Sequence, residues 1–480
     1  VIAAGLSATT EELSWVQTAY IIAEVMIIPL TGFTAKLLST RISYVVATLG
    51  FTIMSVFCAF ASNIESMIIF RALQGFFGGA MIPTVFGIIY IIFTEKERAL
   101  ITIVIGLVVT LAPTLGPTIG GYITDISSWH FMFLINIIPG IFVVGVVYSY
   151  ADFDKPDYSL LKNFDFIGVI LLTTSLACLQ YVLEEGARKD WFENNTILYL
   201  TTYSLIGLCL LVYHELTTAK PILDLYAFRN SNFAIGCTLS GILGIGLYGV
   251  VFLLPIFLGQ IAGLNTIQIG LIMAIMGVAQ FLSAPLAGAC MAKNVDRRLM
   301  MLFGISLFAY GTYLNSFMTH ETRFYELIAP QAIRGFSLMF CFVPINDLTL
   351  GTLAKDEVQD ASGLYNLMRN LGGAFGLAII NSKISDYTVI FRDILSSNMT
   401  KTGEISQNGI DAFAAALDQS GRVFDPYLGS IDIVNKLMAR DAFVSSINNM
   451  FSYIAVLFII ALILIPFMKN AEGGSGAAAH

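Results

Sequence analysis

Long apolar runs alternate with short polar segments along most of the chain. A helix that crosses the hydrocarbon core of a bilayer needs about 20 mostly apolar residues. Since lipid offers no partner to unpaired backbone groups, such runs must form helices, and the pattern predicts an all-α polytopic membrane protein. We place thirteen spans at 14–37, 43–62, 66–93, 99–121, 131–150, 165–184, 196–215, 232–258, 266–290, 299–318, 325–352, 361–384 and 446–467.

Composition supports the same class. Apolar residues make up 56% of the 480 residues and charged residues 12%, with a mean hydropathy of +0.78. A soluble domain carries about twice that share of charge, roughly 25%. The net charge is −8 and no basic block is present, so no nucleic-acid partner is expected. The six cysteines fall inside apolar runs and are interpreted as small apolar side chains rather than metal ligands.

Lysine and arginine are distributed unequally between the two sets of short loops, and cytoplasmic loops of membrane proteins carry the excess. The loops on one side hold Lys36, Arg41, Lys96, Arg98, Lys155, Lys162, Lys220, Arg229, Lys293, Arg297, Arg298, Lys355 and Lys469. The opposite loops hold Arg188, Lys189 and Arg323. The first side is therefore predicted to be cytoplasmic, together with the C-terminus.

Three short patterns recur in the same order at an offset of 256 to about 260 residues. PLTGFTAK at 29–36 returns as PLAGACMAK at 285–293, and QGF at 74–76 returns as RGF at 334–336. The frame L-x-x-x-L-G-x-x-x-G occurs at 111–120 and again at 367–376. Such parallel repeats are typical of transporters that are built from two related halves.

The repeat divides the chain into parts. We expect an N-terminal bundle at 1–151, two extra linker helices at 164–216, and a six-helix C-terminal bundle at 231–467. The first bundle has five predicted helices, so a first helix is expected to be missing before Val1, giving two six-helix bundles plus two linker helices in the natural protein. Residues 471–480 read as a tag or linker remnant.

Several motifs resemble those of the major facilitator superfamily, and within it the fourteen-helix drug:proton antiporters (DHA2) of the EmrB/QacA type. The loop with Gly32, Lys36 and Arg41 resembles the family's cytoplasmic gating loop, although Lys36 stands where an Asp is usual and Ser39 where a Gly is usual. FRALQGFFGGA at 70–80 resembles the fourth-helix motif with a membrane-embedded arginine, here Arg71. WHFMFLINIIPG at 129–140 and PILDLYAF at 221–228 resemble further signatures of the fourteen-helix group.

GPTIGG at 116–121 resembles the antiporter motif of the fifth helix. Proline removes a backbone donor and bends a helix, whereas glycine lets two helices approach closely. We therefore expect a bend and a flat face at the contact between the two bundles. The residues concerned are Pro113, Gly116, Pro117, Gly120 and Gly121. Close packing without any role in transport is the alternative interpretation.

Ionisable side chains at membrane depth are functional candidates by default. Glu24 lies near the middle of the first predicted span, on one stripe with Gln17, Tyr20 and Thr31, and Arg71 precedes Gln74 by one helical turn. The proposed proton-coupling and substrate-pathway residues are Glu24, Arg71, Gln74, Asp347 and Arg369. Asp347 is interpreted either as a cavity residue or as a solvated helix end. Asp165, Glu184, Glu185 and Glu215 lie at predicted helix ends, where a solvated position is expected.

Residues 385–445 form a long polar insert on the outer side. NGIDAFAAALDQ and SIDIVNKLMARDAF within it have helical spacing. The resemblance implies a comparable insert, a periplasmic adaptor and an outer-membrane channel as partners; the alternative is a surface helix lying on the bilayer.

The resemblance implies proton-driven export of hydrophobic or amphipathic compounds across the cytoplasmic membrane by alternating access, with a proton gradient and no cofactor. A facilitator or importer on the same fold is the alternative function. A membrane enzyme is disfavoured, because the sequence lacks an H-E-x-x-H or G-x-S-x-G motif and paired membrane aspartates.

Overall fold

The computed structural model describes residues 5–6, 8–152, 154–218, 221–354, 357–401, 403–420 and 425–469. The expected remnant at 471–480 lies outside these residues. Every regular element in the described part is helical. The α-helices are α1 (Thr10–Ile27), α2 (Thr31–Leu38), α3 (Thr40–Ala59), α4 (Ile64–Gly79), α5 (Met81–Ile92), α6 (Glu95–Ile126), α7 (Phe131–Leu134), α8 (Ile137–Tyr150), α9 (Phe166–Glu185), α10 (Asn195–Thr217), α11 (Ser231–Gln260), α12 (Thr266–Ala292), α13 (Arg297–Leu314), α14 (Phe324–Leu350), α15 (Val358–Lys401), α16 (Gly403–Ser420) and α17 (Pro426–Ala461).

Helix breaks follow local chemistry. A 3₁₀ turn at Ile28–Leu30 separates α1 from α2, where Pro29 cannot donate to the preceding turn. α1 begins with a capping box, in which Thr9 and Glu12 satisfy each other's backbone amides. The first predicted span is therefore one bent helix of two parts.

Eleven helices in the described residues are long and apolar enough to cross a membrane. The two predicted spans outside this set, 99–121 and 361–384, lie within the continuous helices α6 and α15. Burial separates central from peripheral helices: the apolar part of Phe324–Leu350 is 72% buried, but that of Phe131–Tyr150 is 11% buried. α14 is thus a core helix, and α8 presents an apolar outer face suited to lipid.

The helices pack in two groups that follow the repeat. In the first group α4 packs against α1 and α3, and α3 also packs against α8. In the second group α14 packs against α12 and α13, and α15 packs against α11 and α17. The groups meet along α6 and α12, and again where α15 contacts α5, α2 and the 3₁₀ turn before α2. The second contact lies at the Lys- and Arg-rich end of the helices.

The linker helices α9 and α10 form a hairpin, in which the Ser204 hydroxyl donates to the Ser175 carbonyl at 3.0 Å. α10 is largely exposed, with 22% of its apolar part buried. In contrast, α9 packs against α1 of the first group and α15 of the second. Arg188, just after α9, donates to Ser14 at 2.8 Å, and Trp191 donates to Ser382 at 3.1 Å. The hairpin is therefore joined to both groups.

The insert at 385–445 is mostly helix that extends the two flanking spans. α15 runs unbroken for 44 residues to Lys401, and α16 packs against α17. The segments NGIDAFAAALDQ and SIDIVNKLMARDAF lie within α16 and α17, which confirms their helical prediction. At 1.5 Å per residue α15 is roughly 66 Å long, about twice the hydrocarbon core. A helix lying flat on the bilayer does not fit the α15 part of the insert, which continues a spanning helix.

Candidate transport pathway between the two halves

Arg71 is the centre of a polar network inside the first group. It donates to Gln74 at 2.6 Å and to the Val16 carbonyl at 3.2 Å, and its guanidinium lies 4.1 Å from the centroid of the Tyr20 ring. Gln74, 1% exposed, donates in turn to Ser55 at 2.5 Å. The predicted pairing of Arg71 with Gln74 is therefore present. The network borders a cavity of about 730 Å³ that Gln17 and Tyr20 also line.

Glu24 faces a second, smaller cavity of about 100 Å³. Gln180 and Glu184 of α9, Tyr248 of α11, and Asn370 of α15 line it as well. Glu24 therefore lines a different cavity from Gln17 and Tyr20, although the sequence places all three on one stripe of α1. Thr31, the fourth residue of that stripe, is buried and donates to the Ile28 carbonyl at 2.7 Å.

Glycines of the fourth-helix motif hold α1 close to α4 beside Glu24. A methyl group at Gly79 would lie 2.7 Å from the Glu24 carbonyl oxygen, and one at Gly75 would collide with the Tyr20 carbonyl. Small residues four apart allow such helix contacts in membranes. The backbone that carries Glu24 is thus fixed against α4.

Two arginines of the second group are buried. Arg334 is 0% exposed, donates to Gln331 at 2.5 Å, and lies 5.8 Å from the centroid of the Phe451 ring. Arg369 is 4% exposed and donates to Asn366 at 2.6 Å. Each repeats the arginine–amide pair, one turn apart, that Arg71 forms with Gln74.

α6 and α12 form the longest contact between the groups. Gln280 of α12 donates to the Thr110 hydroxyl of α6, and a methyl group at Gly121 would collide with Thr266 at the start of α12. The expectation for the other two glycines is corrected: Gly116 faces open space, and a methyl group at Gly120 would meet the Met132 side chain at 3.5 Å. The side chains of Pro113 and Pro117 lie outside the described part of the chain.

Lys36 forms an ion pair across the two groups. Its ammonium nitrogen lies 2.5 Å from a carboxylate oxygen of Asp360, at the start of α15. Asp360 also packs on Gly32, where a methyl group would collide with it. Gln359 and Ser362 of α15 donate to Thr40 at 3.3 Å and to the Pro83 carbonyl at 3.0 Å. The helix start is thus bound to the first group by charge and by hydrogen bonds.

Arg41 and Ser39 act within the first group. Arg41 lies 3.5 Å from Asp152, in the segment after α8, and the Thr40 amide donates to Asp154 at 2.7 Å. Ser39 has φ of +74°, in the region that favours glycine. The family's usual glycine thus has a conformational reason here, and Ser39 occupies a strained position.

Asp347 forms an ion pair with Arg297 at 3.1 Å, and its side chain is 27% exposed. This pair joins the end of α14 to the start of α13, so Asp347 is a paired and partly exposed residue rather than a free solvated end. The expectation for the acidic helix ends is also corrected. Glu185 is buried against Arg188, Asp165 lies 2.8 Å from His214, and buried Glu215 accepts from the Leu223 amide at 3.1 Å. Glu184 is half-buried at the cavity of Glu24.

Sequence reasoning missed Asp360, Gln180 and the cavity position of Glu184. A signal existed for Asp360, because a lysine at a position that the family fills with aspartate calls for an acidic partner. Gln180 and Glu184 lie one helical turn apart on α9, and that spacing marks one polar face.

Comparison with known proteins identifies a superfamily and several relatives that are named for export or resistance. A model of the Major Facilitator Superfamily matches residues 1–377. The chain is 37% identical to the colistin resistance protein EmrB of Acinetobacter baumannii, over 98% of this chain and 91% of the relative. It is 28% identical to the multidrug export protein EmrB of Escherichia coli K12, over 100% and 92%, and 28% identical to the fatty acid resistance protein FarB of Neisseria gonorrhoeae, over 100% and 93%.

Solved structures match in fold. The proton:xylose symporter XylE aligns with a TM-score of 0.58 at 14% identity, over 96% of this chain and 87% of that one. The human organic anion transporter MFSD10 aligns with a TM-score of 0.57 at 12% identity, over 94% and 83%.

Proposed function

Because the chain belongs to the major facilitator superfamily, we propose that it exports hydrophobic and amphipathic compounds across the cytoplasmic membrane in exchange for protons. It is a multi-pass transporter rather than an enzyme. Relatives named for multidrug export, colistin resistance and fatty acid resistance support this substrate class. The observation that carries the proposal is the Glu24 carboxylate in a cavity bordered by helices of both groups.

The arrangement suits alternating access. The Lys- and Arg-rich end, which we assign to the cytoplasm, is closed between the groups by the Lys36–Asp360 pair and the contacts of Ser362. When these contacts open, the cavity of Glu24 gains access to the other side. A proton that Glu24 takes up on one side and releases on the opposite side would couple proton entry to substrate export.

Purified protein in proteoliposomes tests the proposal. With a pH gradient imposed, it is expected to move members of a panel of dyes, fatty acids and detergents against their own gradients. Transport that only follows the substrate gradient, unaffected by pH, would instead identify a facilitator. Protein that moves none of the panel would refute the export function.

We also propose that the extension formed by α15 beyond residue 384, α16 and the start of α17 binds a periplasmic adaptor, which passes substrate to an outer-membrane channel. Its length and its largely exposed surface support this role. Deleting residues 400–440 is expected to leave transport in proteoliposomes intact but to remove resistance of whole cells. Equal loss in both assays would assign the extension to folding.

A further inference from the structure

We propose that the small cavity between α1, α9, α11 and α15 is a cation subsite, in which Glu24, Glu184 and Gln180 bind the ammonium head group of an amphipathic substrate. The inference rests on the proposed export function and specifies a substrate class for it. It also gives the linker helix α9 a direct part in recognition.

The size of the cavity fits a head group. Its volume is about 100 Å³, whereas pockets that hold whole drug-sized ligands reach roughly 300–1,000 Å³. Ile21, Val25 and Leu377 supply apolar walls beside the polar groups. A small cation would enter with its charge toward the carboxylates, and its apolar tail would remain outside along the helices.

Gln180 indicates that the cavity receives a polar ligand. It is 1% exposed, and neither its amide nitrogen nor its amide oxygen has a hydrogen-bond partner. A buried polar group left without a partner costs about 1–3 kcal/mol. Such a group is retained at a cost to stability, which a ligand in the cavity would offset.

The two carboxylates of the cavity are also available. Among the described residues, neither Glu24 nor Glu184 forms a hydrogen bond or an ion pair through its side chain. Arg71 and Arg369 act on Glu24 through charge, but Arg71 donates to Gln74 and to the Val16 carbonyl, and Arg369 donates to Asn366.

Glu184 also lies beside another carboxylate, Glu185, which is paired with Arg188. Buried charges in proteins are otherwise paired. A cationic ligand would supply the missing partner for Glu184.

The attachment of α9 to both groups makes the subsite responsive to transport. Arg188 and Ser14 join it to α1, and Trp191 and Ser382 join it to α15. Because α9 is bound to both helices, movement of α15 relative to α1 would also act on the helix that carries Glu184. A head group held between Glu24 and Glu184 would be released when the groups separate.

Binding to the full chain in lipid nanodiscs tests the subsite, with dodecyltrimethylammonium and dodecyl sulfate as probes that share a tail and differ in charge. Glu184→Gln is expected to weaken binding of the cation about tenfold, a loss of about 1.4 kcal/mol, because the ammonium group loses a charged partner, and to leave the anion unaffected. Glu193→Gln, the same change on an exposed carboxylate outside the cavity, should change neither. Unchanged cation binding in Glu184→Gln, or equal loss for both probes, would overturn the proposal.

Gln180→Leu adds a second readout. It is expected to unfold at a higher temperature without ligand and to bind the cation less tightly. A variant that unfolds at a lower temperature and binds the cation normally would show that the amide is structural, contrary to the proposal. Failure of the export proposal is recognised separately, because wild-type protein would then transport no member of the panel in proteoliposomes, whatever it binds.

Discussion

The contact between the two halves carries charge at two levels, and the levels differ in pairing. At the Lys- and Arg-rich end, Lys36 and Asp360 form a direct ion pair. At the cavity between α1, α9, α11 and α15, Glu24 and Glu184 have no hydrogen-bonded or ionic partner among the described residues. One level is complete as it stands, so it can hold the halves together. The other is incomplete, and it is there that we propose binding of a proton or a ligand.

The largest loss of export is expected at the contact between α6 and α12, which has no room for a larger side chain. Gly121→Leu should abolish export while the protein still inserts, because the new side chain collides with Thr266 and forces α6 away from α12. Gly116→Leu is the matched control, since Gly116 faces open space. Transport in proteoliposomes and the yield of folded protein measure both. Loss of export in Gly116→Leu as well would remove the distinction between the two glycines.

Glu24→Gln should have the next largest effect. Glutamine cannot release a proton, so export should lose its dependence on the pH gradient, and Glu24→Asp should retain more activity than Glu24→Gln. Glu65→Gln, on an exposed carboxylate at the start of α4, should behave as wild type. An unchanged pH dependence of transport in Glu24→Gln would rule out a coupling role.

Reversing one charge of the Lys36–Asp360 ion pair should have a moderate effect on the rate of export. Asp360→Lys places two cations in contact, which favours separation of the halves and slows export. Exchanging both, Lys36→Asp with Asp360→Lys, should restore part of the rate. Asp360→Asn should lower the free energy that holds the two groups together by about 1 kcal/mol or less, which is what a partly exposed ion pair contributes. Labelling of a cysteine placed near the contact would follow the separation, and a double exchange no better than the single change would contradict the pairing.

The smallest effect is expected from relief of backbone strain at Ser39, three residues after Lys36, and it concerns stability. Ser39 is also the N-cap of α3, and its hydroxyl accepts from the Ile42 amide. Ser39→Gly should raise the free energy of unfolding by roughly 0.5–1 kcal/mol, because glycine adopts φ of +74° without strain, whereas loss of the cap costs only a few tenths. Ser43→Gly, within α3, should lower it by about 0.5 kcal/mol. Thermal unfolding of the two variants should therefore shift in opposite directions, and shifts of the same sign would argue against strain at Ser39.

The sequence predicts the spans well, because the length of an apolar run is a local property. The pairing of Arg71 with Gln74 was equally accessible, since both lie on one helical turn. Pairs that join distant segments were not. Lys36 and Asp360 are separated by 324 positions, and helical periodicity contains no information on which helix starts face each other.

Glu184 and Glu185 show the second limit. Both lie at the end of an apolar run, where a solvated position is the natural expectation. One is buried against Arg188 and the other borders a cavity, because α9 packs between α1 and α15 rather than facing water. The sequence contained the residue types and their spacing, but not the neighbour that decides their environment.

The unbroken course of α15 has a mechanical consequence. Asp360 lies at its base, Asn370 borders the cavity, and Lys401 ends it, so one continuous helix connects the ion pair, the cavity and the extension. At roughly 66 Å in length, a straight helix would convert a tilt of about 10° at its base into a displacement of about 11 Å at its tip. Opening of one ion pair on one side of the membrane would thereby be amplified, by leverage alone, into a movement of the surface presented on the other.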